Sequence, residues 1–154
     1  MKTLLYILLS FFLFLGCSTP LSPPKVAMES HNALVQASLK HLGKPYLYGG
    51  IGPDRFDGSG LVYVVAKETG VTLPRTAYAQ SHIKGERLSR EALQVGDLLF
   101  FDTTLQGRVN HVGIYLGEDK FIHASSTEPK GVIISSLDGD YKDKFQWGKR
   151  VVVP

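Results

Sequence analysis

Apolar residues recur at helical intervals in the first half of the chain and in short unbroken runs in the second. Between residues 29 and 42, Ala33, Leu34, Ala37, Leu39 and Leu42 repeat with helical spacing, and Gly43 followed by Pro45 supplies a stop. That phase places His31 and His41 on the polar side, where both are expected to be solvated. A second helix opens at Asp57, whose carboxylate can accept from the first free amides. Leu61, Val62, Val64 and Val65 turn its apolar side inward, and Gly70 ends it after Thr69. Leu73-Pro74-Arg75-Thr76 leads into a short helix through Tyr78, Gln80 and Ile83, and residues 84–91 read as a polar connection.

From Leu93 the pattern changes to strands. Residues 96–102 form a short buried strand bounded by turn formers, and a loop over 103–110 leads into a strand from His111 to Gly117. Glu118-Asp119-Lys120 turns the chain back into Phe121 to Ser125, giving a hairpin. Residues 131–137 and 150–153 supply two further strands. Leading helices followed by antiparallel strands predict an α+β domain.

The N-terminal 16 residues hold one Lys2 and a run from Leu4 to Leu15 that is short for a mature membrane span, the pattern of a cleaved secretory signal. Phe14-Leu15-Gly16-Cys17 looks like a bacterial lipobox with an atypical first residue, so Cys17 is expected to carry lipid; a plain signal followed by a chance cysteine is the alternative. Ser18 after the cysteine then implies the outer membrane, if the source is a double-membraned bacterium. Residues 17–28, with Pro20, Pro23 and Pro24, are expected to be a flexible tether, and 29–154 one folded domain.

The chain has 154 residues, a formal charge of +3 and a pI near 9.0, which suits work beside an anionic polymer and equally an ordinary solubility margin. Cys17 is the single cysteine, so the folded part contains neither a disulfide nor a thiol nucleophile. The five histidines show no ligand spacing with carboxylates, so no metal or other cofactor is expected.

Two histidines carry the candidate chemistry. Nucleophilic catalysis needs a base within reach of the nucleophile and a third group that fixes the base's tautomer, whereas a lone strand-end histidine is more often structural. His111, heading one strand, is the candidate base, and His123, on the paired strand, the candidate orienting group. A regular two-residue turn at Glu118-Asp119 would set the two rings on opposite faces, so a longer turn or a bulge is predicted near residues 117–120.

The stretch Phe56-Asp57-Gly58-Ser59-Gly60-Leu61-Val62 resembles the signature of the NlpC family of papain-like cell-wall endopeptidases. Gly96-Asp97-Leu98, His111-Val112-Gly113-Ile114-Tyr115, Phe121-Ile122-His123-Ala124 and the run from Gly131 to Ser136 extend the resemblance to the end of the chain. It implies a papain-like domain acting on peptidoglycan stem peptides through a Cys-His-His site, the nucleophile lying where this chain has Gly58. It also implies that the hydroxyl of Tyr46 faces the catalytic centre, that Asp57 and Ser59 bind a peptide amino group, and that Arg75 lines the substrate groove. The residues by themselves allow blander roles: Tyr46 as an amphipathic cleft-edge residue, Arg75 as a surface charge, Gly58 as a helix-opening glycine.

Ser59 does not substitute for the thiol, because successive helical residues point about 100° apart and a hydroxyl needs more activation. Two readings follow. One is a lipid-anchored murein endopeptidase, held at the envelope facing the periplasm and inactive with glycine at residue 58. The other is a non-catalytic relative that holds wall peptides or a protein partner in the same groove. No nucleic-acid partner is expected, and the domain is taken to act as a monomer.

Overall fold

The computed structural model describes residues 20–154. Four helices precede the strands: α1 Lys25–Met28, α2 Ala33–Leu39, α3 Gly58–Glu68 and α4 Ala77–Ser81, followed by a 3-10 turn, Arg90–Ala92. Five strands follow, β1 Leu98–Phe101, β2 His111–Gly117, β3 Lys120–Ser125, β4 Gly131–Ser136 and β5 Phe145–Lys149. They pair antiparallel in the order β4-β3-β2-β1-β5. This is the expected α+β, papain-like arrangement.

The helices lie on one face of the sheet. Leu61, Val62 and Val65 of α3 bury against Leu98, Phe100, Val112, Ile114 and Ile122, all fully sequestered from water. The opposite face carries a smaller cluster of Leu99, Phe101, Tyr115, Phe121 and Leu137, with Tyr141 and Phe145 packed on it. Strand alternation explains the division: neighbouring residues of β1 serve opposite faces, and each face is covered, so the strand is buried throughout.

Several expectations shift. α2 begins after Asn32, whose side chain accepts from Val35 N, and it ends at Leu39, both within the predicted 29–42. The tighter turn after Leu39 rotates the following positions, so Leu42 is exposed while His41 is buried against Phe56 with its Nε2 3.2 Å from Glu68 Oε1. The expectation that His41 is solvated is therefore corrected; His31 is exposed as expected. The predicted strand at 150–153 does not form. β1 begins at Leu98, paired with Lys149, so the valines beyond have no partner strand, and the last ladder is β5. Residues 20–22 are exposed, whereas Pro24 and Ala27 are already packed, so the part engaged with the domain starts before residue 29. The leader and Cys17 lie outside the described residues.

Candidate active site

The β2–β3 hairpin has a two-residue turn, Glu118-Asp119, both at positive φ, closing the pair Gly117 and Lys120. One residue further along, the register slips: Tyr115 faces Phe121, and Leu116 is the extra residue of a β-bulge. The bulge reverses the parity of the remaining ladder, so His111 and His123 share one face, as predicted for rings that meet. His111 Nε2 lies 2.8 Å from His123 Nδ1. The residue opposite His123 in this register is Gly113. A Cβ there would fall 2.8 Å from the Phe121 ring and 3.3 Å from His123 Cβ, so glycine leaves the path along which His123 reaches His111.

Behind His123 the chain continues, its Nε2 standing 2.8 Å from the Ser135 hydroxyl on β4. His123 is fully buried, and the ring of Tyr141 packs edge-on to it, 5.2 Å between centroids, while stacking near His111. Burial pushes the His111 pKa down to about 4, against a smaller upward pull from the Asp57 carboxylate. His123 is held well below the ordinary histidine range by burial and by His111. Both rings are thus neutral near pH 7, and the shared hydrogen bond makes one nitrogen a donor and the other an acceptor.

The free nitrogen of His111 faces the first residue of α3. A Cβ built on Gly58 would lie 2.7 Å from His111 Nδ1 and 3.7 Å from Ala124 O. Gly58 is buried at the N-terminus of an eleven-residue helix, where peptide dipoles favour negative charge.

Asp57 caps that helix as expected. Its Oδ1 accepts from Gly60 N at 2.6 Å, its Oδ2 from Gly49 N at 2.9 Å, and Arg75 grips it with Nη1 at 3.1 Å and Nη2 at 2.6 Å. Arg75 Nη1 also donates to Ser59 Oγ at 2.8 Å. Burial raises the Asp57 pKa, but the bonds from Arg75 and Gly60 outweigh it and hold the carboxyl below its usual range. Arg75 is therefore no isolated surface charge: it joins α3 to the segment before α4.

Tyr46, Asp57, Gly58, Ser59, Arg75 and His111 all line one open groove of about 850 Å³, and His123 stands behind His111. The groove joins the N-terminus of α3 to the ends of β2 and β3. Burial and the nearby Asp57 raise the pKa of Tyr46, keeping its hydroxyl protonated. Sequence reasoning missed Ser135, Tyr141, Arg108 and Lys144, the last three of which line the groove. Once the β3–β4 register is known, Ser135 falls in phase with Ile133, the residue opposite His123; for the other three the sequence holds no local signal.

The chain is similar to known proteins in sequence and in fold. The chain is 39% identical over 150 residues to "Probable endopeptidase NlpC" of Escherichia coli, covering 94% of this chain and 96% of that one. It is 38% identical over 138 residues to "Murein DD-endopeptidase MepH" of the same organism, covering 82% of this chain but spanning only about half (51%) of that relative. Among solved structures, an NlpC/P60 family protein from Bacillus cereus superposes with a TM-score of 0.72 at 31% identity, over 81% of this chain and 41% of that one. Residues 43–151 match the model of the NlpC/P60 family, a span that holds α3, the histidine pair and the whole sheet, and the chain belongs to that family.

Proposed function

We propose that the groove is a peptidoglycan-peptide site of the cell-wall endopeptidase type, which holds stem peptides without cutting them because residue 58 is glycine. One observation carries this reading. The relay Ser135–His123–His111 ends in a neutral imidazole nitrogen aimed at a position that has no side chain.

With a thiol at that position, neutral His111 could take its proton, and the helix N-terminus would favour the thiolate. Attack on the scissile carbonyl would form an acyl-enzyme as His111 returned the proton to the leaving amine, and water would then release the acyl group. With glycine there is no atom to form the bond, and Ser59 Oγ is engaged by Arg75 and Asp57. The relatives named as endopeptidases support the substrate class, and the retained relay and groove support binding. Lipid on Cys17 and placement at the outer membrane, facing the periplasm, complete the proposal: attached there, the domain would meet the wall directly.

The test uses the full chain, as it stands and as Gly58→Cys, with purified peptidoglycan. Released peptides are read by mass spectrometry and retained protein by sedimentation with the polymer. Binding by both forms and cutting by the cysteine form alone is expected. Cutting by the glycine form overturns the mechanism, and absence of binding by either form overturns the site assignment. For the anchor, Cys17→Ala is expected to move the protein from the membrane fraction to the soluble one.

A further inference from the structure

One carboxylate lines the groove, that of Asp57, and a second, Asp102, is bonded to the backbone of Arg108; both are spent within the protein. Asp57 is saturated by Arg75 and by the amides of Gly49 and Gly60. Asp102, 3% exposed, accepts from Gly107 N at 2.6 Å, Arg108 N at 3.1 Å and the Thr104 hydroxyl at 3.2 Å, organising the loop after β1.

The cations are disposed differently. Arg108 and Lys144 line the groove, and neither takes part in any ion pair among the described residues. Each is instead set near an aromatic ring, which favours the cation's position without cancelling its charge. The Arg108 guanidinium lies 4.5 Å from the Tyr78 ring centroid on α4, and Lys144 Nζ lies 5.4 Å from that of Tyr141.

Both residues hang from the same end of β1. Arg108 N is bonded to the Asp102 carboxylate, and Lys144 O accepts from Asp102 N at 2.9 Å. Their backbones are therefore fixed relative to each other and to His111, which follows on β2. Asp140 and Asp143 share a turn with Lys144 but do not line the groove.

With Arg75 neutralised by Asp57 and His111 uncharged, the groove presents two uncompensated positive charges and no free negative one. We infer that Arg108 and Lys144 are specificity-determining residues that select peptides bearing free carboxylates. This rests on the peptide-binding reading above and names the feature of the peptide that is read. A neutral or cationic peptide would leave both cations without a partner, whereas a carboxylate makes charge-assisted bonds to them.

The experiment measures binding of stem-peptide fragments released from peptidoglycan, in two preparations: with carboxylates free, and with the same carboxylates converted to amides. Titration calorimetry on the full chain is expected to show about tenfold tighter binding of the acid form, a difference that shrinks as salt is raised. In Arg108→Gln/Lys144→Gln the acid form should weaken to match the amide form, while Arg108→Lys/Lys144→Arg should keep the preference. Equal binding of both preparations by the unaltered chain, or a preference that survives in the glutamine variant, overturns the inference and leaves the peptide site standing. Failure of both preparations to bind the unaltered chain removes the peptide site itself, and this inference with it.

Discussion

His111 Nδ1 packs directly over Gly58: a Cβ there would be 2.7 Å away, so a side chain at residue 58 requires a shift of the ring or of the helix tip. Because His111 Nε2 is tied to His123, its ring cannot swing freely, so any side chain at 58 must strain or lengthen the 2.8 Å bond between the histidines. Gly58→Ala is expected to lower stability by about 1 kcal/mol despite alanine's better helix propensity. Thermal unfolding checks this, and an unchanged or raised midpoint would show the ring to be mobile.

Gly58→Cys should meet the same crowding yet gain an ionic partner for the base. A thiolate beside His111 favours the imidazolium, so the His111 pKa should rise from about 4. Titration of the imidazole carbon-bound protons by NMR measures it. A pKa that stays near 4 in the cysteine form would mean that the two groups do not couple.

Gly113→Ala places a methyl between Phe121 and His123 on the face where the histidines meet. Overpacking of this kind costs about 1–3 kcal/mol. It should also disturb the His111–His123 bond, which shows in the imidazole nitrogen shifts. A destabilised variant with unaltered shifts would separate packing at residue 113 from assembly of the pair.

Ser135→Ala leaves His123 Nε2 without a partner in a fully buried place. An orphaned buried polar group costs about 1–3 kcal/mol, whereas Ser135→Thr keeps the hydroxyl and should restore most of the loss. Equal stability of the alanine and threonine forms would show that the bond contributes nothing.

Acid should weaken the fold before the carboxylates titrate. Between pH 6.5 and about 4 the unfolded chain binds a proton that folded His111 does not, so stability falls as pH falls through that window. His123, held well below the ordinary range, continues the decline on the acid side, and Asp57 adds its loss below its unfolded value of 3.8. Unfolding midpoints across pH 7 to 4 should slope less in His111→Gln than in the parent. Equal slopes would place the acid sensitivity elsewhere.

The α3 helix with its Asp57 cap, the α+β order and the sheet's apolar runs were legible because each depends on local chemistry: cap geometry, period and turn residues act over a few neighbours. The His111 and His123 pair was legible as two candidates, and even the need for a bulge followed from strand parity. Where the extra residue falls did not, since it depends on how Tyr115, Leu116 and Gly117 share burial with the strands beside them.

Other features had no local cause. His41 turned inward because α2 closed early and Glu68, far along the chain, offered a partner. The valines after Lys149 stayed unpaired because β1 had no residues left to pair with them. The sequence by itself determined α2 to α4 and β1 to β4, the helix tip with glycine at residue 58 and the two candidate histidines. Only the tertiary structure decided that Ser135 backs His123, that Asp57 and Asp102 are consumed internally, and that Arg108 and Lys144 remain uncompensated, because hydrogen bonds and charges are shared out among residues that meet only when the sheet register and the groove have formed.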